Sequence, residues 1–338
     1  MAQGALDELS RRYVPLVDSY IQELLRGAPE ELYRASMHLI KAGGKRLRPL
    51  VVLASARALG GSEAEERALP LAAAVEVFHN FTLVHDDIMD NDDYRRGVPT
   101  VHRVYGVPMA ITAGDLMFAK SFSAILMSRG AGLDAAWVVR AVEVLAEAAR
   151  KVAEGQAYDL LFERTWDVDE NDYLRMIYLK TGALIEASAM LGAIAAKARD
   201  EVIAAMGDVG RLVGLAFQIR DDLLGIYGDP AKTGKPVYSD LRRGKKTILV
   251  IYAAARSKEL RERLSEVFAG KYTEEVLREV AEEIDKVGAR KYAESLSLSY
   301  AELAVEKLDG LKRAGHIVDD VGYQALRELA EFSAKRDR

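Results

Sequence analysis

The 338-residue chain contains no cysteine. That excludes a disulfide framework, a thiolate metal site and a cysteine nucleophile together. Proline is scarce: eight residues, at positions 15, 29, 49, 70, 99, 108, 230 and 236, leave 109–229 and 237–338 without any. Proline breaks helix interiors, so such long blocks, rich in Ala, Leu, Glu, Lys and Arg, suggest long helices. Three Asn and five Gln are also few, and with abundant Glu, Lys and Arg they hint at a thermophilic source. No uninterrupted apolar run approaches the roughly 18 residues of a membrane span; Ala187–Ala196 stops at about ten. The leading MAQGALDELSRRYV has no apolar signal-peptide stretch. Positive charge is not in excess, 47 Lys and Arg against 52 Asp and Glu, which argues against general nucleic-acid binding. The expectation is a cytoplasmic protein with no stable membrane span.

Half the residues are hydrophobic, ample for a core. Thr273 to Gly288 shows how they are spaced: Val276, Leu277, Val280, Ile284 and Val287 trace one helical face, with Thr273 as N-cap and Gly288 as stop. The short run Ile248–Ala255 is ambiguous by periodicity, and its proline-free surroundings favour helix. No alternating strand pattern with an Asn-Gly or Asp-Gly turn is visible, and no internal repeat. Breaks fall at Gly60–Gly61, Gly97–Pro108 and Gly228–Gly244, none long or polar enough for a flexible linker. These features predict a single all-α domain over 1–338, of roughly ten or more helices.

Two acidic motifs carry the first chemical signal. In HDDIMDNDDYRRG, His85 to Gly97, Asp86 and Asp90 are four residues apart and share a helical face, with Asp87 beside them. Like charges there repel, and a helix ending before Gly97 would set its negative pole against them. A divalent cation would offset that cost; a solvated acidic helix end is the plainer alternative. In FQIRDDLLGIYGD, Phe217 to Asp229, Gln218, Asp221 and Asp222 again share one face, now flanked by apolar Leu212, Val213, Leu215, Leu223 and Leu224. Acids in a core are paired or metal-bound, and Arg220 is a candidate partner.

Basic residues form three clusters. AGGKRLRPL brings Lys45, Arg46 and Arg48 after a Gly43-Gly44 turn, Arg95 and Arg96 follow the first acidic motif, and KTGKPVYSDLRRGKKT adds Lys232, Lys235, Arg242, Arg243, Lys245 and Lys246. Guanidinium forks and ammonium charges suit phosphate oxygens, although any single cluster also suits a solvated face. Gly44-Lys45 is not a P-loop, since Leu39 stands where glycine is required. The five histidines show no zinc spacing; His79 lies two turns before Asp86 on the same face. Together these clusters suggest a diphosphate held through magnesium.

GGKRLRP, DDIMD with RRGVPTVH, KTG, and FQIRDD followed by GKPVYSDLRRGKKT occur in an order that resembles the trans-isoprenyl diphosphate synthases, in particular the archaeal-type geranylgeranyl diphosphate synthases. The resemblance spans about Leu39 to Thr247 and more loosely the C-terminal helices. It implies an isoprenoid-synthase helical bundle around a central cavity, normally a homodimer. There the two acidic motifs face each other and hold three magnesium ions, here through Asp86, Asp87, Asp90, Asp221 and Asp222. Arg95, Lys180, Lys235 and Lys245 would grip an allylic diphosphate (dimethylallyl, geranyl or farnesyl). Gly44, Lys45, Arg48, His79 and Arg96 would hold isopentenyl diphosphate. Thr181 and Gln218 would stabilise the developing cation, and Gln156 in EGQAYD would lie near the metals. One departure is Gly225, in DDLLG, where many members carry a third aspartate.

By the same resemblance the growing tail points back along the helix of the first motif. Phe81 lies five residues before Asp86, about 7.5 Å along a helix axis, with small Thr82 next to it and Phe78 one turn further. A large residue followed by a small one resembles the enzymes that stop at twenty carbons. Farnesyl or farnesylgeranyl diphosphate synthesis are the alternatives. A terpene cyclase would not need GGKRLRP or Arg96, and a non-catalytic scaffold would not need the full set of charged motifs.

Overall fold

The computed structural model describes residues 4–229 and 237–336. They are helical almost throughout, as the proline spacing predicts. The chain divides into two compact units: residues 1–147, 186–207 and 308–329 form the first, and 148–185, 208–307 and 330–338 the second.

The first unit opens with α1 (Ala5–Leu24), α2 (Glu30–Lys41) and the long α3 (Leu47–Met89). Leu9, Tyr13, Val17 and Ile21 recur at spacings of four on α1, all buried, and α1 packs on α3. α3 is two helices joined at Gly61, whose φ of 66° and ψ of −161° are open to glycine, so the expected break at Gly60–Gly61 is present. Pro15 and Pro70 lie inside helices, which the proline spacing did not anticipate.

After Met89 comes a hairpin, β1 (Tyr94–Arg95) and β2 (Val98–Pro99), paired Tyr94 to Pro99 and Arg95 to Val98. Its two loop residues, Arg96 and Gly97, both have positive φ, 54° and 77°, as a type I′ turn requires. The sequence hides it, because two-residue strands carry no alternation and arginine replaces the usual Asn or Asp. Then follow α4 (Val101–Tyr105), α5 (Val107–Met127), which lies along α3, and the start of α6 (Ala135–Phe162).

The second unit holds the end of α6, α7 (Glu170–Ile177), a π-helical turn (Tyr178–Gly182) and the start of α8 (Ala183–Ala195). It continues through most of α9 (Asp200–Tyr227), α10 (Ser239–Arg242), α11 (Ile248–Arg256), α12 (Lys258–Phe268), α13 (Glu274–Lys286) and most of α14 (Ala289–Arg313), and takes the end of α15 (Asp320–Lys335). Thr273 caps α13 by accepting a hydrogen bond from the Val276 amide, and Leu277, Val280, Ala281 and Ile284 are buried, as their spacing predicts. Ile248–Arg256 is a helix too. These faces meet Tyr173, Ile177, Ile219, Leu223 and Leu241 in one core.

Among the described residues, three segments are long and apolar enough to cross a membrane by length and composition: Val107–Met127, Glu170–Ala195 and Asp200–Tyr227. Their uninterrupted apolar runs are shorter, because a helix-long average tolerates the isolated charges that end a run. In the second and third, 78% and 67% of the apolar window is buried inside the protein, against 39% in α5.

Candidate active site

The chemistry-bearing residues fall into one cluster per unit. In the first unit, Gly43 and Gly44 take φ of 93° and 140°, which aims the loop before α3. A Cβ on Gly44 would stand 2.9 Å from Cζ of Arg96, so the glycine lets this loop lie directly on that guanidinium. Arg96 Nη1 donates to the Leu39 carbonyl at 2.9 Å and to Asn80 Oδ1 at 3.1 Å, contacts that offset the roughly 1 kcal/mol or more its left-handed backbone costs. Arg48 Nη1 lies 3.1 Å from Nε2 of His79. Arginine only donates, so His79 Nε2 accepts and its proton sits on Nδ1. Burial, then the charges of Arg48, Arg96, Arg95 and Arg46, hold this histidine well below its ordinary pKa and keep it neutral. Gly44, Arg48, His79 and Arg96, which the family resemblance groups together, gather at one cationic spot; Lys45 lies exposed on the same loop.

The first acidic motif closes α3: Asp86 and Asp87 lie in its last turn and Asp90 caps it, the position the macrodipole disfavours. Asp87 is fully buried, with Oδ1 bonded to Arg95 Nε from the hairpin and Oδ2 without a hydrogen-bond partner. Burial pushes its pKa up to about 6 against the pull of Arg95. Towards the helix start, the Phe81 ring packs edge-on at 5.0 Å from Phe78 and 5.3 Å from Phe118. Thr82 donates its hydroxyl to the His79 carbonyl.

In the second unit, the π turn places Lys180 and Thr181. It is held close to α6 because position 155 is glycine: a Cβ there would lie 2.2 Å from the Lys180 nitrogen. Lys180 and Lys245, from motifs far apart in sequence, both reach Asp159 Oδ2, at 2.6 and 2.7 Å, and Lys245 also reaches Glu163 at 2.6 Å. Burial alone would raise the pKa of Asp159; the two ammonium groups outweigh it and lower it. Gln156 is three residues earlier on α6. Lys246 turns elsewhere, its ammonium 4.7 Å from the Trp166 ring centre and 4.5 Å from that of Phe268, so the Lys245-Lys246 pair splits between two roles.

Thr181 Oγ donates to Gln218 Oε1 at 2.7 Å, Gln218 Nε2 donates to Asp222 Oδ1 at 2.9 Å, and Tyr173 donates to Asp222 Oδ2 at 2.7 Å. The amide of Gln218 is therefore fixed in one orientation. Burial, followed by the charges of Asp240 and Asp221, pushes Asp222 up to about 8. Asp221 pairs with Arg336, and Arg220 Nε donates to the Arg336 carbonyl. Lys235 lies outside the described residues.

Gly225 has a steric reason. A Cβ there would lie 2.0 Å from Oδ2 of Asp240, so the carboxylate of Asp240 fills the space a side chain at 225 would need. Gly225→Asp is accordingly expected to lower the denaturation midpoint. A Gly225→Asp/Asp240→Gly double variant should recover much of that loss, and an unperturbed single variant would contradict the packing.

Asp159, Asp240, Tyr173, Glu76, Asn80 and Arg336 were not among the sequence-derived candidates. Asp159 stands inside EGQAYD and Asp240 inside GKPVYSDLRRGKKT, motifs in which the amide and the cations are the more conspicuous signal.

The magnesium implied by the resemblance meets suitable donors. Carboxylate oxygens are hard ligands, Asp87 Oδ2 is buried without a hydrogen-bond partner, and Asp222 is crowded by two further carboxylates. Among the described residues no three acidic or histidine side chains are already gathered as a cage. Magnesium does not require one, since it is usually held by one or two carboxylates with substrate phosphates completing the shell.

Residues 29–284 match the polyprenyl synthetase family model. The chain is 55% identical to the geranylfarnesyl diphosphate synthase of Aeropyrum pernix, over 95% of this chain and 99% of that protein. The crystal structure of a geranylgeranyl pyrophosphate synthetase from Pyrococcus horikoshii superposes with a TM-score of 0.89 at 41% identity, covering 98% and 99% of the two chains. A polyprenyl synthase from Caulobacter crescentus, complexed with calcium and isoprenyl diphosphate, gives 0.89 at 31% identity over 100% of both.

Proposed function

The chain belongs to the polyprenyl synthetase family and has its all-α fold, and from that premise we propose that it condenses isopentenyl diphosphate with dimethylallyl, geranyl and farnesyl diphosphates to form geranylgeranyl diphosphate. The observation that carries this reading is the convergence of Lys180 and Lys245 on Asp159, beside the Thr181–Gln218–Asp222 chain.

Each group has a physical task. Lys180, Lys245, Arg95 and Lys235 bind the allylic diphosphate and take up the charge that grows as it departs. Arg48, Arg96 and Lys45 bind isopentenyl diphosphate, with Gly44 allowing close approach and His79 accepting from Arg48 rather than adding a charge. Gln218 presents a fixed amide, and Thr181 a hydroxyl, towards the allylic cation. Gln156, by the family pattern, would lie near the metals. Asp86, Asp87, Asp90, Asp221 and Asp222 would hold magnesium, in three ions if the family pattern applies. When bound, magnesium neutralises diphosphate charge and fixes the orientation of the leaving group. An apolar lining would keep water from the cation.

Twenty carbons is the product length that Phe81 supports, because Phe78 and Phe118 brace its ring on two sides. Phe81→Ala is expected to shift the main product upward by at least one five-carbon unit, read by chromatography of the dephosphorylated alcohols. An unchanged length would remove Phe81 as the floor. Twenty-five carbons is the second reading, favoured by the 55%-identical relative named for geranylfarnesyl diphosphate.

The family match runs through both units, which supports one domain over 1–338. Val107, Ile111 and Phe118 are exposed on one face of α5, an apolar stripe suited to a homodimer. Sedimentation should give twice the chain mass, reduced to one by Ile111→Glu; a monomeric wild type would contradict this. A cytoplasmic location belongs to the same proposal, tested by cell fractionation.

A further inference from the structure

In GGKRLRPL, Lys45 and Arg48 have family roles and Arg46 between them has none. It is only 4% exposed and adopts the left-handed backbone, with φ of 50°. Its guanidinium donates through Nε to Asp18 Oδ1 at 2.9 Å, through Nη1 to the Gly43 carbonyl at 3.0 Å and Glu76 Oε1 at 3.1 Å, and through Nη2 to the Ile40 carbonyl at 2.9 Å. Four of its five N–H groups are thereby committed to the protein. Arg46 is built to hold rather than to bind.

What it holds continues along α3. Oε1 of Glu76 accepts from Arg46 and also from Asn80 Nδ2 at 2.9 Å, and the same Nδ2 donates to the Glu76 carbonyl at 2.8 Å. Both acceptors require the amide nitrogen, so the amide oxygen of Asn80 must face the other way. There it accepts from Arg96 Nη1 at 3.1 Å. A Cβ on Gly44 would lie 3.1 Å from both Arg46 Nη1 and Arg96 Nη2, so the two guanidinium groups sit beneath the same glycine. Two cations so close repel, and Glu76, 2% exposed, is the buried anion that lets them coexist. Glu76 and Asn80 are one turn apart on α3, with His79 between them in sequence.

We propose that Arg46, Glu76 and Asn80 form a positioning relay that fixes Arg96 for the diphosphate of isopentenyl diphosphate. This rests on the reading above that Arg96 holds that substrate. The relay acts through Arg96 alone, and none of its three members touches ligand. Arg46 and the hairpin residue Arg96 are thus linked by one chain of hydrogen bonds, although they are far apart in sequence.

The test is steady-state kinetics on Asn80→Leu, which keeps the volume and removes the amide, and on the milder Glu76→Gln. Each is expected to raise KM for isopentenyl diphosphate roughly 10-fold or more, since a lost hydrogen bond to a charged group is worth about 1.5–3 kcal/mol. kcat and KM for the allylic diphosphate should stay within about 3-fold. In an Arg96→Ala background the same substitutions should add almost nothing. Additive effects, or equal damage to both substrates, would overturn the relay and leave a merely structural cluster. Calorimetric titration with inorganic diphosphate gives a second readout that needs no turnover, and weakened binding by Asn80→Leu and Glu76→Gln is expected there. Absence of condensation by the wild type would overturn the proposed function; unchanged diphosphate affinity in both variants would overturn the relay.

Discussion

Lys180→Met should lower kcat roughly 10²- to 10³-fold, the range seen when one preorganised group facing developing charge is removed. The lysine sits on a π-helical turn, a distortion often found at functional sites, and that turn is pressed against α6 at Gly155. Its ammonium is bonded to Asp159, so it is oriented before any substrate arrives. Methionine keeps the length and packing and removes only the charge. Asp159 would retain Lys245, so thermal unfolding should move by no more than about 2–4 °C. Rapid-quench measurement of a single turnover separates the chemical step from product release. A rate within a few-fold of wild type would show that Lys180 does not face the leaving diphosphate.

Asp222→Asn carries two effects of opposite sign. The asparagine oxygen can accept from Gln218 Nε2, and its NH2 can donate to the Tyr173 oxygen, so both contacts survive. What disappears is a buried carboxylate whose pKa is pushed up to about 8 by burial and by Asp240 and Asp221. A carboxyl raised above its unfolded value of about 3.9 binds its proton more tightly folded than unfolded. Its stability penalty is therefore absent below about pH 4, grows as pH rises and is complete above about pH 8. The asparagine variant should match wild type near pH 4 and exceed it by about 1–3 kcal/mol near pH 9 in urea denaturation. Its kcat should nevertheless fall roughly 10²-fold, because the charge that destabilises the fold is the charge proposed to hold magnesium. A variant less stable than wild type at pH 9 would contradict the burial argument, and full activity would remove Asp222 from the metal site.

How much of this could be read in advance differed from residue to residue. Helix α13 was legible because its cap, its apolar face and its stop all lie in one local stretch. The Gly61 break was legible for the same reason. The hairpin was not, since Arg96 occupies a left-handed position usually given to Asn, Asp or Gly, and its backbone is supported by Leu39 and Asn80, remote in sequence. The same division runs through the site. Clustered cations and acids announce themselves by type, so Lys245, Asp87 and Asp222 could be named from the residues, and Lys180 from the family resemblance. Their counter-charges could not: Asp159 is chosen as partner of two lysines, and Glu76 of an arginine, only when helices pack. Gly225 read as a missing ligand until the Asp240 carboxylate was found against it.

The central claim is tested most directly by incubating the purified protein with magnesium, labelled isopentenyl diphosphate and, in turn, dimethylallyl, geranyl and farnesyl diphosphates. The products are dephosphorylated and sized by chromatography, with a chelator control. The account predicts a twenty-carbon alcohol from every starter, abolished by the chelator. A twenty-five-carbon alcohol would keep the condensation and move the floor beyond Phe81. No condensation with any starter would contradict the proposed function outright.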